Sequence, residues 1–407
     1  MKKDRKEKNQ RIRIVSEILE GRRSFVSGAR ILGLCEQQMR NIVAKAVRDG
    51  IESVAVDGRR TNKSQRTIPE STRERIISLY REKYTDFNFT HFASMLRDME
   101  HISISDSSVE RILKQAGFRA PKVKRRPAAH RRREPRAHAG EMGQADASKH
   151  DWFQEGIDSK TGNPHYHHLY GIIDDATGKV SALWMEKEET THGYWQLMRL
   201  ANDRTGLYQS IYVDRRGTFK VNNTRNSSRD PSAEDFSDTA LAETQFSRSM
   251  KDLDIDILFA CSGPAKGRIE RLWLTLQDRL VKEFALNEIS DEDAANAFFP
   301  SFLTRFNREF CRKPSDPEPF WKDRIRKDIL DMEFCTHVRT IVGKNGSVPF
   351  KGGYLVLPAR DSRGHLLNDY FFSPAEIILK DDGEILVRLQ DGKVVKPKIL
   401  SKRQKQS

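Results

Sequence analysis

The spacing of apolar residues changes twice along this chain of 407 residues. Up to about residue 117 they recur at helical intervals, and from 141 short apolar strands alternate with amphipathic helices. From 335, alternating segments are separated by Asn-Gly, Gly-Gly and Asp-Gly pairs, which are typical of hairpin turns. A chain of this length also exceeds what one hydrophobic core usually organises. The sequence therefore predicts a multidomain protein: all-α first, α/β in the centre and a small antiparallel β-barrel at the end.

The breaks between these patterns set the expected domain boundaries. Two helical domains are expected at 1–62 and 63–140, the second including a basic linker. The α/β domain is expected at 141–312, followed by a linker at 313–334 and by the β-barrel with a basic tail at 335–407. Within the α/β domain, residues 222–241 (NNTRNSSRDPSAEDFSDTAL) are polar and aperiodic, which predicts a flexible insertion.

The excess positive charge lies entirely in the first third of the chain. Residues 1–140 contain 33 Lys and Arg against 17 Asp and Glu, whereas the remainder contains 39 against 41. A segregated basic segment on an otherwise balanced protein is typical of phosphate binding. A solubilising basic tail is the alternative, but most of this segment has helical periodicity rather than low complexity. The charge distribution therefore favours double-stranded DNA as a partner.

Two helical patterns within the basic third predict tandem helix-turn-helix units. The stretch SGARILGLCEQQMRNIVAKA predicts a helix, a tight turn at Gly33 and a second helix. The start of that second helix would face base edges with Gln37, Gln38, Arg40 and Asn41. A second unit ends in SDSSVERILKQAG. A plain three-helix bundle is the alternative for each unit taken alone.

A basic linker, RAPKVKRRPAAHRRREPR, follows the helical units at 119–136. Its many Lys and Arg residues, its prolines and its lack of periodicity predict an extended segment that tracks phosphates. The candidate phosphate contacts are Lys124, Arg125, Arg126, Arg131, Arg132 and Arg133.

The cysteines and the hydropathy pattern exclude several classes of protein. The four cysteines are far apart and include no CxxC pair, which argues for a reducing compartment and against a zinc finger. Because no apolar run approaches the ~18 residues of a membrane span, no membrane partner is expected. The basic start MKKDRKEKNQ is not followed by an apolar stretch, so a cytoplasmic location is expected.

Three acidic residues of the α/β part are candidates for a metal site. Asp146 follows the strand-like segment EMGQAD, and Asp214 ends the apolar strand SIYV, at the strand edge where α/β sheets place their sites. Glu270 lies next to Ile269 in a helix beginning AKGRIER, and we expect it at the helix–sheet boundary rather than free in water. The spacing of this helix predicts one apolar face, formed by Ile269, Leu272, Trp273, Leu276 and Leu280. Carboxylates are the ligands that Mg²⁺ prefers. Phosphodiester transfer without a nucleotide cofactor uses two such ions.

Other acidic residues compete with these three. Asp174 and Asp175 precede Ala-Thr-Gly, a position typical of turn formers. Asp151 follows Asp146 by five residues and so would lie on the opposite strand face. The residues alone therefore leave Glu270 as one acid among several.

Residues 141–312 resemble the integrase core of bacterial insertion-sequence transposases. The resemblance is carried by GQADASKHDWF, IIDDATGKV, YVDRRGTF and, above all, AKGRIERLWLTLQDRLVKE. It implies a ribonuclease-H-like, retroviral-integrase-like fold with Asp146, Asp214 and Glu270 as the catalytic, metal-binding DDE triad. The separation between Asp214 and Glu270 exceeds that of the family, and the insertion 222–241 accounts for the excess. The segment CSGPAKGR departs from the family, which commonly has Asn and Gln before the Lys-Gly.

The resemblance also implies a function. The chain would be a DNA transposase that binds terminal inverted repeats, cleaves at the transposon 3′ end with two Mg²⁺ (or Mn²⁺) ions and transfers that end into target DNA. Lys266 and Arg268 would position the DNA backbone near the metals. The chain would form a homo-oligomer on DNA, at the bacterial nucleoid. Two alternatives stay open: a sequence-specific DNA-binding regulator with an idle core, and a simple nuclease of the same fold.

Overall fold

The computed structural model describes most of the chain. Described are residues 2–55, 68–121, 133–157, 159, 162–214, 244–259, 266–351, 353–361 and 363–400. The predicted insertion 222–241 lies outside these residues, as do Lys124, Arg125, Arg126, Arg131 and Arg132 of the linker. The chain divides into two compact units, Met1–Glu82 and Lys83–Ser407. Among the described helices, none has the length and apolarity to cross a membrane.

The described part of the first unit is helical. Its helices are α1 (Lys2–Leu19), α2 (Phe25–Leu32), α3 (Glu36–Asp49) and α4 (Glu70–Glu82), with a 3₁₀ turn at Ile51–Ala55. The Ser24 hydroxyl accepts the N–H of Ser27 at the start of α2, and Gly33 ends α2 at φ +66°, a conformation that glycine adopts without strain. Ile14, Ala29 and Met39 bring α1, α2 and α3 into one apolar core. The helix, turn and second helix predicted around Gly33 are therefore present.

A mixed five-stranded sheet organises the second unit. Its strands are β1 (Met142–His150), β2 (His167–Asp174), β3 (Val180–Glu186), β4 (Ser210–Val213) and β5 (Asp256–Phe259). They lie in the order β3-β2-β1-β4-β5. The pairs β1–β2 and β2–β3 are antiparallel, and the pairs β1–β4 and β4–β5 are parallel. The predicted combination of helices with a central sheet is confirmed.

Helices cover both faces of this sheet. The helices before and around it are α5 (Phe89–Asp98), α6 (Asp106–Gln115), α7 (Thr191–Thr205), α8 (Gln245–Asp252), α9 (Gly267–Leu286) and α10 (Glu292–Phe310). Because alternate strand residues point to opposite faces, Ala145 and Ala147 of β1 pack with α7 and α8. On the other face, Leu169 and Leu183 pack against apolar residues of α9 and α10. Asp146 lies between the two alanines in sequence and therefore faces α9.

Helix α5 is joined to α9 and α10 by polar side chains. His91 lies 3.1 Å from a Glu283 carboxylate oxygen, and the Ser94 hydroxyl donates to Glu309 at 2.8 Å. Asn88, the N-cap of α5, donates to Asp278 at 2.6 Å. The expected domain 63–140 thus contains α4 of the first unit together with α5 and α6 of the second.

The C-terminal part consists of antiparallel strands around one apolar core. Helix α11 (Lys327–Glu333) precedes β6 (Thr336–Ile341), β7 (Ser347–Phe350), β8 (Gly353–Val356), β9 (Pro374–Leu379), β10 (Ile385–Leu389), β11 (Val394–Val395) and β12 (Lys398–Leu400). They form two sheets, ordered β11-β10-β9-β6 and β12-β8-β7. Gly346, Gly383 and Gly392 take φ of +66°, +83° and +84° at the predicted Asn-Gly and Asp-Gly turns.

Candidate active site

Three polar side chains of β1 meet α9 in matching steps. The pairs are Gln144 with the Ile269 N–H, Asp146 with the Trp273 indole N–H and Ser148 with the Gln277 amide, at 3.2, 3.1 and 3.3 Å. Two strand residues advance about 6.6 Å, and four helix residues advance about 6.0 Å. Every second residue of β1 therefore meets every fourth residue of α9. This match fixes Asp146 against the helix.

A glycine makes room for the contact with Trp273. Gly171 of β2 is paired with Asp146 of β1, and a Cβ at Gly171 would lie 2.7 Å from the Trp273 ring. That separation is closer than any ordinary van der Waals contact. The indole can therefore lie beside Asp146 because residue 171 has no side chain.

The second predicted acid reaches the same place from the neighbouring strand. In the parallel pairing of β1 with β4, Gln144 is opposite Tyr212. Asp146 and Asp214 each follow by two residues, so they occupy equivalent positions on the same side of adjacent strands. Between them lies the Lys266 ammonium, 3.2 Å from an Asp146 oxygen and 3.9 Å from an Asp214 oxygen. The side chains of Lys266, Asp146 and Asp214 are 9%, 14% and 25% exposed.

The third predicted acid is placed differently. Glu270 lies in the first turn of α9 and is exposed, so the expectation that it sits at the helix–sheet boundary is wrong. Consecutive helix residues are about 100° apart. Ile269 and Trp273 occupy the face toward the sheet, which turns Glu270 toward solvent. Within the described residues, no three His, Cys, Asp or Glu side chains form a group that could hold a metal ion.

A fully buried carboxylate beside the site holds several segments together. Asp175 accepts the Gln144 amide at 2.8 Å and the Arg136 backbone N–H at 2.8 Å. It also forms ion pairs with Arg133 and, at 3.1 Å, with Arg268. Asp175 therefore fastens the segment before β1 and the start of α9 to the sheet.

Its neighbour Asp174 has the role that the sequence suggested for both residues. Its carboxylate accepts the N–H and hydroxyl of Thr177 at 2.8 and 2.6 Å, as a turn former does. It also accepts the Gly140 N–H at 2.8 Å. Asp174 thus caps the turn with its carboxylate, whereas Asp175 lies in the same turn and directs its carboxylate to partners that are distant in sequence.

The predicted DNA contacts on α3 are all exposed, and some of them bond within the helix. Gln37 donates to Asn41 at 3.2 Å, and Gln38 accepts the Cys35 N–H at 3.1 Å as a capping group. Arg40 is paired with Glu36 at 2.6 Å and lies 4.8 Å from the centre of the Phe25 ring. By contrast, Arg133, Lys266 and Arg268 each have a carboxylate partner inside the second unit.

Sequence reasoning missed four residues that shape this site: Gln144, Gly171, Asp175 and Trp273. A signal for two of them was present. Gln144, Asp146 and Ser148 place polar groups at every second position of a predicted strand. Trp273 belongs to the predicted apolar face of the helix and lies one turn from Ile269. The pairing of the two series depends on how the helix lies on the sheet, which no local pattern encodes.

Comparisons with known proteins identify relatives over most of the chain. A comparison with protein-family models finds no match. The putative transposase y4bF of Sinorhizobium fredii (strain NBRC 101917 / NGR234) is 30% identical over 369 residues, 89% of this chain and 75% of that protein. The transposase for insertion sequence IS1202 of Streptococcus pneumoniae is 28% identical over 334 residues, 74% of this chain and 68% of that protein.

Among solved structures, similarity is found to a simian T-cell lymphotropic virus intasome in complex with PP2A regulatory subunit B56 gamma. It covers 76% of this chain and 100% of that one, with 14% identity and a TM-score of 0.31, which is too low to carry an argument. The two sequence matches have higher identity, 30% and 28%. Their extent, at 30% identity over three quarters of a curated relative, shows that this chain belongs to the transposases of bacterial insertion sequences.

Proposed function

We propose that this chain is a DDE polynucleotidyl transferase that binds transposon terminal inverted repeats, cleaves their 3′ ends and transfers them into target DNA. One observation carries the proposal: Asp146 in β1 and Asp214, which directly follows the adjacent parallel strand β4, share a cation, Lys266. Two carboxylates converging on one positive charge at a strand edge form a site that suits metal-dependent phosphoryl chemistry. The proposed core is the ribonuclease-H-like domain at 141–312.

The donor set fits a divalent metal. Asp146 and Asp214 provide the carboxylate oxygens that Mg²⁺ or Mn²⁺ prefers, and the Lys266 ammonium marks a position between them that accepts positive charge. Glu270, in the first turn of the same helix, is the proposed third ligand. Two bound ions would activate the attacking oxygen and stabilise the leaving oxygen. The Trp273 N–H holds one Asp146 oxygen and leaves the other directed at the cation position.

The remaining parts of the chain are proposed to bind DNA and to bring it to the core. Exposed Gln37, Gln38, Arg40 and Asn41 at the start of α3 have the side-chain types that read base edges in the major groove. The second helix-turn-helix at 63–140 and the basic linker would follow phosphates. The C-terminal β-domain would assist assembly of several copies on transposon ends and target. We place this activity at the bacterial nucleoid.

Substitution of Asp146 tests the catalytic part of the proposal. Asp146→Asn keeps the shape and removes the charge, so Mg²⁺-dependent nicking of a terminal-repeat duplex should be abolished while gel-shift binding is retained. Asp151→Asn is the matched control, because Asp151 bonds the Glu155 and Gly156 N–H groups outside β1 and should leave nicking within a few-fold. Full nicking by Asp146→Asn in Mg²⁺ would falsify the assignment.

The same assays separate the alternatives. Wild-type protein that binds terminal repeats and never nicks them would indicate the regulator with an idle core. Nicking without joining of the freed 3′ end to a second duplex would indicate a simple nuclease. For recognition, Gln37→Ala or Arg40→Ala should weaken binding to terminal repeats more than to random DNA of equal length. Equal affinity of these variants and wild type for the repeats would show that another helix reads them.

A further inference from the structure

The Lys266 side chain is an unusual feature of the candidate site. The side chain is 9% exposed, and its ammonium contacts the carboxylates of Asp146 in β1 and of Asp214 directly after β4. The nearby Arg268 differs, because its guanidinium pairs with Asp175, which is fully buried. Thus two cations begin the same helix, and just one of them lies between the candidate metal ligands.

Charge balance explains why Lys266 is there. Two carboxylates on adjacent strands repel each other, and partial burial strengthens the repulsion. An ammonium between them compensates for this and satisfies its own need for partners. A lysine suits the position, since it is a compact charge on a flexible stem that can leave without disturbing the backbone.

A metal ion cannot share these oxygens with the ammonium in its present place. Direct coordination puts Mg²⁺ about 2.1 Å from each ligand oxygen. The Asp146 oxygen that contacts Lys266 is the one that does not bond to Trp273. The oxygen left available by the indole is therefore the one that the ammonium occupies.

We propose that Lys266 is an internal competitor for the metal site. It neutralises Asp146 and Asp214 in the metal-free protein and leaves them when a divalent cation binds, and its freed ammonium then binds a DNA phosphate at the site. Metal and DNA thereby favour each other: each stabilises the state in which Lys266 has left the carboxylates, and such coupling is reciprocal. The inference rests on the proposed role of the two aspartates as metal ligands.

Metal affinity without turnover provides the first test. Mn²⁺ binding is measured by calorimetry on DNA-free protein for wild type, Lys266→Met and, as a less disruptive variant, Lys266→Gln. Loss of a competing charge-assisted bond should tighten the first Mn²⁺ by about 10- to 100-fold. Arg271→Gln is the matched control: it removes the same charge from the first turns of the same helix, where the exposed Arg271 side chain donates to the Gly267 carbonyl at 2.8 Å, and it should change the affinity less than about threefold.

Chemical labelling of the unaltered protein provides the second test, which does not depend on any variant folding. Acylation of Lys266 by an amine-reactive ester, followed by mass spectrometry, should be slow without metal and faster when Mn²⁺ saturates the site. A terminal-repeat duplex added with Mn²⁺ should slow it again, because the phosphate then covers the ammonium. Lys45 and Lys327, which lie outside the second unit's active site, report any general effect of metal on labelling.

The outcomes separate this inference from the proposed function. If Asp146→Asn binds Mn²⁺ as tightly as wild type, the aspartates are not ligands and the proposed function fails. If Asp146→Asn loses Mn²⁺ while Lys266→Gln and Arg271→Gln change affinity equally, the effect of Lys266 is general electrostatics and the inference is overturned. Labelling of Lys266 that saturating Mn²⁺ leaves unchanged overturns it as well.

Discussion

The two ends of helix α9 use charged residues in opposite ways. Near its C-terminal end, Glu283 bonds to His91 at 3.1 Å and Arg305 at 2.7 Å, and Arg279 pairs with both carboxylate oxygens of Glu309 at 2.7 and 2.9 Å. Near its N-terminal end, Lys266 lies between two carboxylates, and Glu270 faces solvent.

The C-terminal end of α9 attaches neighbouring helices, whereas its N-terminal end belongs to the candidate active site. At the C-terminal end, burial raises the pKa of Glu283, but the His91 hydrogen bond and the Arg305 charge outweigh it and lower the pKa overall. Burial also lowers the pKa of His91, whose ring nitrogen lies 3.1 Å from the Glu283 carboxylate. Each negative group there has a partner from another element, which fixes α5 to the core. The N-terminal end instead brings two carboxylates from different segments to one ammonium, an arrangement that suits the binding of a cation.

The largest expected effect comes from Glu270. Glu270→Gln should reduce terminal-repeat nicking by about 1,000-fold or more, since each bound ion contributes several kcal/mol to the transition state and a tenfold change corresponds to about 1.4 kcal/mol. Because Glu270 is exposed, the free energy of unfolding without metal should change by less than about 0.5 kcal/mol. Nicking assays and urea titrations of one preparation measure both. A stable variant with normal nicking would remove Glu270 from the proposed triad.

Substitution of Glu283, in contrast, should lower the stability of the fold. Glu283→Ala leaves the buried His91 and the partly buried Arg305 without their carboxylate, and we expect a loss of about 3–5 kcal/mol in the free energy of unfolding. Lys282→Ala, one residue away, removes a helix pair with Asp278 and should cost about 0.5 kcal/mol or less. Urea denaturation compares the two. Equal losses would show that the network at this end contributes no more than an ordinary surface pair.

Helix α9 and the candidate metal ligands also show where sequence reasoning succeeds and where it stops. The apolar face of α9 was predicted from its own periodicity, and Ile269, Leu272 and Leu276 are buried as expected. Asp146 and Asp214 were found because each ends or interrupts an apolar strand, and the parallel pairing of β1 with β4 brings such positions together. Glu270 was misplaced because its neighbour Ile269 is buried, although one helical step of about 100° separates burial from solvent.

Local sequence patterns do not predict contacts between segments that are distant in the chain. His91 and Glu283 are 192 positions apart, and Lys266 and Asp146 are 120 apart. Both contacts depend on how one element lies on another rather than on the periodicity of either. Arg133 of the basic linker was likewise predicted to contact DNA phosphates, yet its guanidinium pairs with Asp175 in the second unit.

An intermediate effect is expected where α9 meets Asp146. Trp273→Phe removes the indole N–H from the Asp146 carboxylate, and a hydrogen bond to a charged group contributes about 1.5–3 kcal/mol. We expect this loss in the unfolding free energy, accompanied by slower nicking because the carboxylate is less fixed. Gly171→Ala presses on the same ring without removing the N–H, and overpacking costs about 1–3 kcal/mol. Nicking unaffected by both changes would show that the orientation of Asp146 is set elsewhere.

The smallest expected effect is on the stability of the fold at low pH. It involves Glu309, which pairs with Arg279 near the C-terminal end of α9. Burial raises the pKa of Glu309, but the Arg279 hydrogen bonds and charge outweigh it, so the pKa lies below the ordinary 4.5. A lowered pKa in the folded state gives stability that is present above the unfolded value and is lost as pH falls through the folded value. Wild type should therefore lose stability below about pH 4.5, and Glu309→Gln should lose less over that interval.

The size of this difference is bounded by one proton, about 1.4 kcal/mol per pH unit at most. Since a quarter of the Glu309 side chain is exposed, solvent screening should keep the measured difference at about 1 kcal/mol or below. Urea titrations between pH 6 and pH 3 compare the slopes of the two proteins. A steeper acid loss in Glu309→Gln than in wild type would reverse the sign and contradict the prediction.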